Sequence, residues 1–336
     1  MVLSVAGAVT LSGLGGVPFN RTSTSVAIAV SGQVLAPLGR QAAWLNLEAP
    51  RPRTLTRLSE PAYVTDVAAT SDARLAVVAV SAPFAEHAAA GDDLYHLDVD
   101  SGDMSPLLKR TSAQESLTAP AWWPDGSGVL FERDDLRSPL PSYPGQATPR
   151  YASRIDVVAL DGTAATPLIT DARMPAPSPD GSSVAVVESN DQGTGLVLWS
   201  RPDGSTSTIL PAGEFADIAY PRFSPEGDRI AFLVPEPFIG GGQPVAHGAC
   251  GRWLFGPCVA FAHGLPWNLW LVNTDGTNAH ELAEVHSDDG SVAWSPDGTA
   301  LLVYGGSGGF VVDATTGEFQ LLSYLAGYGS IAWLAE

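Results

Sequence analysis

Short apolar runs recur along the chain, and the same turn-forming tetrapeptide introduces most of them. The clearest copy is Ala293-Trp294-Ser295-Pro296-Asp297-Gly298 followed by Leu301-Leu302-Val303-Tyr304. Trp123-Pro124-Asp125-Gly126 precedes Val129-Leu130-Phe131, Ser178-Pro179-Asp180-Gly181 precedes Val184 to Val187, and Ser224-Pro225-Glu226-Gly227 precedes Ile230-Ala231-Phe232. A worn copy, Thr70-Ser71-Asp72-Ala73, precedes Leu75 to Val78. Proline fixes one φ of a turn, aspartate bonds back to the turn backbone, and glycine accepts positive φ, so each copy predicts a tight hairpin between two strands.

A third strand follows in each unit, with its own turn: Leu94 to Asp98 before Ser101-Gly102, Ile155 to Leu160 before Asp161-Gly162, and Leu196 to Trp199 before Asp203-Gly204. Leu269 to Val272 before Asp275-Gly276 and Phe310 to Val312 before Thr316-Gly317 continue the series. Short fourth strands, such as Pro167-Leu168-Ile169 and Phe319 to Leu322, close the units. Four antiparallel strands per repeat is one propeller blade. At the ends, Ser330 to Trp333 reads as a first strand without its turn, while Thr24 to Val30, Ala42 to Leu47 and Arg53 to Leu58 read as second, third and fourth strands without a first. Joined, they predict a sixth blade that closes the ring. The expected fold is all-β, a six-bladed propeller over 21–336, with 1–20 as an N-terminal extension.

This repeat resembles that of the TolB-like six-bladed propellers, which also appears in the propellers of prolyl-oligopeptidase-like peptidases. The likeness spans nearly the whole chain at the level of the repeat. It implies a lone propeller working outside the cytoplasm, without the N-terminal α/β domain of TolB or the hydrolase domain of the peptidases. Because one fold hosts many functions, sites have to carry the functional argument.

Length, 336 residues, would alone suggest about two domains, a prior that the repeats override. With 17 Lys+Arg against 36 Asp+Glu the net charge is -19. Nucleic acid is thereby excluded as a partner, since binding a polyanion needs a basic footprint. No run reaches the roughly 18 apolar residues of a membrane-spanning helix. Met1 to Val17 lacks the basic start of a secretory signal. Cys250 and Cys258, in a loop rich in glycine and proline, suit a local disulfide better than a zinc site, which favours an oxidising, extracytoplasmic compartment.

If the first strand of each blade lines the axis, the loops between second and third strands share one face with the connections between blades. Three of those loops are long: 81–93, 133–153 and 235–268. Long loops on a rigid scaffold commonly carry function. The last holds Phe238, His247, Trp253, Phe255, Phe261, His263 and Trp267, and Tyr143 lies in the second. The candidate binding residues are Trp253, Phe255, Phe261, His263, Trp267 and Tyr143, as exposed aromatic anchors for a protein partner. The alternative is that the insertion folds over its blade and buries those rings.

Catalytic patterns are weak. Gly305-Gly306-Ser307-Gly308-Gly309 matches a nucleophile elbow by letters, but a strand follows it where a helix is required. His280 and His286 are six apart, not the four of a helical zinc motif. Asp98 to Asp103 resembles the start of a calcium loop, yet Lys109 stands where its closing acid belongs. The acidic pairs Asp92/Asp93, Asp134/Asp135 and Asp288/Asp289 could line a Ca2+ site at the channel mouth. The leading expectation is a non-enzymatic binding or assembly module, with a metal-dependent propeller hydrolase or lactonase as one rival and a permanent subunit of an envelope complex as the other.

Overall fold

The computed structural model describes residues 28, 31–85, 90–141, 150–190, 193–236 and 266–335. In chain order the strands are β1 (Gln33–Leu38), β2 (Gln41–Asn46), β3 (Ala49–Arg57), β4 (Tyr63–Ala69), β5 (Leu75–Pro83), β6 (Ala90–Asp98), β7 (Met104–Leu108) and β8 (Glu115–Trp122). They continue with β9 (Val129–Pro139), β10 (Tyr151–Val158), β11 (Ala165–Thr170), β12 (Ala172–Pro177), β13 (Ser183–Asn190), β14 (Gly193–Ser200), β15 (Thr206–Phe215) and β16 (Ala219–Phe223). The last are β17 (Arg229–Pro235), β18 (Trp267–Asn273), β19 (His280–Ser287), β20 (Ser291–Trp294), β21 (Ala300–Gly305), β22 (Gly308–Asp313), β23 (Phe319–Leu322) and β24 (Ala332–Leu334). They form six four-stranded sheets. Five are consecutive in sequence, beginning at β4, β8, β12, β16 and β20, and are numbered blades one to five in that order. The sixth has the order β24-β1-β2-β3, so both ends of the chain share one blade.

One strand of that closing blade differs from the sequence reading. Its second strand is Gln33–Leu38, paired with β24 through Val34↔Trp333, and not Thr24 to Val30. Both segments are apolar, but only 33–38 abuts the two-residue turn at Gly39-Arg40 that leads into β2. The expected extension, 1–20, lies outside the described residues.

The repeated tetrapeptide does what its chemistry requires. In the third blade Gly181 has φ 69°, its N–H donates to the Ser178 carbonyl at 2.8 Å, and Asp180 accepts from the Ser182 N–H at 3.0 Å. Ser178 Oγ also accepts from the Ser183 N–H, at 3.0 Å. The worn copy keeps the same geometry without its glycine: Ala73 sits at φ 58° and donates to Thr70 at 2.9 Å.

Between neighbouring blades the facing sheets bury apolar side chains in separate clusters. Val34, Tyr304 and Trp333 pack between the fifth and sixth blades, and Ile218, Phe232 and Leu196 between the third and fourth. Indoles reinforce two of these seams: Trp122 Nε1 donates to the Ala68 carbonyl and Trp294 Nε1 to that of Arg222, each at 3.0 Å.

Candidate functional site

Strand alternation puts the β5–β6, β9–β10 and β17–β18 connections on one face, together with the links between blades. The long segment expected at 133–153 is strand at both of its ends: β9 and β10 run on past the blade, with Ala152 opposite Asp135 and a register shift between Tyr151 and Ala152, and 142–149 lie outside the described residues. Polar side chains explain why the sequence did not show it, because Arg133, Asp134, Asp135 and Arg154 interrupt the apolar pattern yet pair with one another or with the blade. Asp156 accepts from Arg133 Nε and from Arg154 Nε, each at 2.7 Å. Asp135 holds Arg137 Nε at 2.8 Å. The 81–93 connection is likewise mostly hairpin, since β5 reaches Pro83 and β6 starts at Ala90.

Of the expected contact residues, Trp267 is described, and it is not an exposed anchor. It is 9% exposed, opposite Pro235 at the start of β18, and packs into the core between the fourth and fifth blades. The strand begins two residues earlier than its leucine pattern suggested, which takes the ring inside. Trp253, Phe255, Phe261, His263 and Tyr143, with Cys250 and Cys258, lie outside the described residues. The neck of the fourth-blade insertion is closed by the Glu236 N–H donating to the Pro266 carbonyl at 2.8 Å, beside a Glu236–His286 contact.

Exposed rings on this face come from elsewhere. Tyr63, at the entrance of β4, is 44% exposed; Phe84, just beyond β5, 46%; and Tyr328, before β24, 47%. Phe84 is held from below by the buried Arg110, whose guanidinium lies 5.6 Å from the ring centroid and donates to the Ala82 carbonyl. Tyr328 donates to Asp288 at 3.2 Å. The next residue, Gly329, backs so closely onto Thr65 that a Cβ would collide with its carbonyl oxygen. That approach sets Tyr328 beside the blade carrying Tyr63 and Phe84.

Toward the axis the inner strands carry a repeated irregularity. Ala119, Met174 and Tyr220, each followed by proline, have φ of 47°, 53° and 50°, and pairing with the second strand shifts register at each. The bulges free backbone N–H groups; carboxylates of other blades receive those of Ala119 and Met174, and Met174 Sδ receives that of Tyr220 at 3.2 Å. Asp66 accepts from the Ser330 N–H at 2.7 Å and, with its other oxygen, from the Ala119 N–H at 3.2 Å. Glu132 accepts from the Met174 N–H at 2.9 Å.

The acidic pairs divide in the same way. Asp92 is buried and accepts from Ser116 Oγ at 2.7 Å and Thr65 Oγ1 at 2.9 Å. Asp93 pairs with Arg110. Burial raises the pKa of Asp92. Asp134 is raised well above the usual range by burial and by the charge of Glu132, and Glu132 is itself raised by burial. Burial thus disfavours the ionised form of these carboxyls at the mouth. Among the described residues no group of three or more His, Cys, Asp or Glu side chains is arranged to hold a metal ion.

Further round the ring, Asp217 gathers two cations: the buried Arg173, and Arg150, whose Nη1 lies 3.4 Å away. Arg173 also donates to the Ile218 carbonyl at 3.1 Å. Sequence reasoning missed Asp66, Asp217, Arg173, Tyr63, Phe84 and Tyr328. Their partners lie tens to hundreds of residues away. Only alignment of the inner strands on the turn tetrapeptide would have singled out Asp66, in a position held by Ala119, Met174 and Tyr220 in the next three blades.

The other motifs resolve as turns and outer strands. Gly305 to Gly309 is a hairpin between β21 and β22. Asp98 Oδ1 accepts from the Ser101 N–H at 2.8 Å in a plain turn. His280 and His286 occupy opposite ends of β19, about 20 Å apart at strand rise. No helix among the described residues is long and apolar enough to cross a membrane.

No family model and no curated protein matches the sequence. Solved structures do resemble the fold. TolB from Acinetobacter baumannii is matched with a TM-score of 0.62 at 15% identity, over 91% of this chain and 67% of that one. A chain of the nidogen/laminin complex is matched at 0.60 and 10% identity, over 89% and 97%. A TolB protein from Agrobacterium tumefaciens is matched at 0.56 and 14%, over 87% and 88%. At such identities the likeness concerns architecture, and the chain is a six-bladed propeller with TolB propellers among its structural neighbours.

Proposed function

We propose that this propeller is a non-enzymatic, extracytoplasmic module that docks a protein partner on the face carrying the β5–β6, β9–β10 and β17–β18 connections. The observation that supports this most is the rim formed by Tyr63, Phe84 and Tyr328, large rings about half exposed, of which Phe84 lies against Arg110 and Tyr328 is tied to Asp288. Half-exposed aromatics on rigid supports are efficient anchors, because little side-chain freedom is lost on binding. The extracytoplasmic placement rests on the spacing of Cys250 and Cys258 and on the architectural likeness to TolB. A hydrolase acting through a side-chain nucleophile would require a base beside it. Among the described residues each histidine ring bonds only to a backbone carbonyl or to Glu236.

The test is crosslinking in the native source with the wild type and with Tyr63→Ala, Phe84→Ala and Tyr328→Ala. A species captured by the wild type should be lost from the variants, with affinity reduced about tenfold for an anchor ring. Melting should be unchanged. Capture that is indifferent to all three variants overturns this choice of rim.

A further inference from the structure

The outermost strand of each blade has no strand on its far side, and an edge of this kind invites pairing with another chain unless something blocks it. Among the outer strands, all but one carry such a block. β7 has Pro106, β11 Pro167 and β15 Pro211, each a residue without a backbone N–H. β3 has Pro52 between Arg51 and Arg53, and β19 has Glu281 and Glu284. The exception is β23, the outer strand of the fifth blade, which reads Phe319-Gln320-Leu321-Leu322, with neither proline nor charge.

Apolar side chains of this edge face water. Phe319 is 45% exposed and Leu321 50%, with Tyr324 at 40% just beyond the strand. Phe319 meets Phe310 edge to face, ring centroids 6.0 Å apart, and the Tyr324 hydroxyl donates to the Leu47 carbonyl at 2.7 Å.

The backbone of the same residues is turned outward. The Asp313 N–H donates to the Glu318 carbonyl at 2.9 Å, at the hairpin end of β22 and β23. In an antiparallel ladder hydrogen-bonded and non-bonded pairs alternate. Gln320, opposite Val311, is therefore bonded inward. Phe319, opposite Val312, and Leu321, opposite Phe310, direct their N–H and C=O groups away from the blade. The Ala314 N–H, which donates to the Thr299 carbonyl at 2.9 Å, gives the same alternation from the β21 side. The two exposed apolar residues of the strand are thus the two whose backbone groups point outward.

We propose that β23 is a self-association edge, pairing antiparallel with β23 of a second copy of this chain about a twofold axis at Gln320. That register places Phe319 opposite Leu321 of the other copy on both sides of the axis, and Gln320 opposite its own counterpart. The outward N–H and C=O groups then bond between the copies, and the Phe–Leu pairs share one face of the joined sheet. Such a contact is isologous and closes on itself.

Charge selects a second copy at this edge over any other. At a net charge of -19 two copies repel across most of their surface, and pairing β19 or β3 with itself would bring glutamates or arginines together. Across β23 the closest acid, Glu318, stands opposite Leu322 of the other copy. At strand rise that keeps it about 13 Å from the second Glu318, beyond the screening length of about 8 Å in physiological salt. A strand of 4 residues buries less than the roughly 800 Å² per partner of a stable interface, so the dimer is reversible.

Sedimentation velocity of the full chain, over a series from micromolar to millimolar concentration, tests this. The wild type should pass from monomer to dimer as concentration rises. Leu321→Lys removes the leucine from both cross-strand pairs and sets like charges diagonally across the axis. It should weaken the dimer about tenfold or more and leave the melting curve unchanged. An equal mixture of Leu321→Lys and Leu321→Glu should restore association. Gln320→Cys should give a disulfide-linked dimer on mild oxidation where the wild type gives none. Tyr63→Ala, in the docking rim, should dimerise as the wild type does. A wild type monomeric throughout, a dimer indifferent to Leu321→Lys, a mixture no tighter than either variant alone, no crosslink through Gln320→Cys, or loss of the dimer in Tyr63→Ala each overturns the assignment.

Discussion

The two faces of the ring are built on different principles. On the turn face most bonds are local: Asp180, Asp297 and Ser178 bond to groups two to five residues away, and five of the six blades repeat the turn, with Arg201 to Asp125 at 2.8 Å as a link to a neighbouring blade. On the loop face the bonds run between blades, as from Ser330 to Asp66 across 264 positions and from Arg173 to Asp217 across 44. Local self-sufficiency makes the first face regular and tolerant of change. Dependence on distant partners makes the second specific and vulnerable. The contrast predicts that equal chemical insults will cost more on the loop face.

The largest effect should come from deleting 328–336. This removes β24, its Val34↔Trp333 pairing and the Ser330 donor to Asp66, and exposes an inner edge of the sixth blade. Cooperative thermal unfolding should be lost, and a wild-type melting curve would refute closure by this strand. Next comes Asp217→Ala, which strands the buried Arg173 without its carboxylate. Breaking a buried pair from one side costs about 3–5 kcal/mol, readable by urea denaturation. A loss under about 1 kcal/mol, the range of surface ion pairs, would mean that Asp217 behaves as a surface group.

Smaller effects belong to the turn face. Ala73 holds φ 58° where Gly126 holds 70°, and no atom lies within 4 Å of a Cβ added to Gly126. At Gly126 backbone strain alone should therefore decide the exchange, and Gly126→Ala should destabilise by about 1 kcal/mol. Ala73→Gly relieves the same strain but removes a methyl packed against the core, so it should change stability by less. Equal melting of the two variants would show that the turns are not equivalent.

The smallest expected effect is electrostatic and separates the faces by sign. At the mouth Asp134 keeps its proton to a higher pH when folded than when unfolded. Its contribution is therefore fully present below the ordinary carboxyl pKa and is lost as pH rises through the folded value. On the turn face Asp125 and Asp203 are held at about 2, first by side-chain hydrogen bonds from Ser127 and Ser200. Their contribution is present above the ordinary value and is lost as pH falls toward 2. Asp134→Asn, which keeps a donor for Glu132, should raise the melting temperature by about 1–3 °C at pH 8 and by less at pH 5. The same gain at both values would remove the buried proton from the explanation.

This contrast also explains what could be read from the chain. Blade number, turn positions and ring closure were legible because Ser-Pro-Asp-Gly acts within five residues, and adjacent sequence states that chemistry in full. The second strand of the closing blade was misplaced because Thr24 to Val30 is as apolar as Gln33 to Leu38, and only the turn at Gly39-Arg40 and the pairing it sets distinguish them. The β9–β10 extension was hidden by Arg133, Asp134 and Asp135, whose charges resemble a loop until Arg154 stands opposite Arg133 and Asp156 bonds both guanidiniums. Trp267 looked like a loop aromatic and is core, whereas Phe84 and Tyr328 looked unremarkable and are exposed.

The closing strand has a consequence in time as well as in stability. Loop closure across nearly the whole chain is a late and entropically costly step, and a chain emerging from the ribosome folds its earlier parts first. Until residues 330–334 have been made, the inner edge of β1 and the Asp66 oxygen that awaits the Ser330 N–H have no partners. Five blades can assemble before that moment, but the ring exists only afterwards. The nascent protein must therefore pass through an open, edge-exposed state, and the interval before closure is when it is most prone to pair with a neighbouring chain.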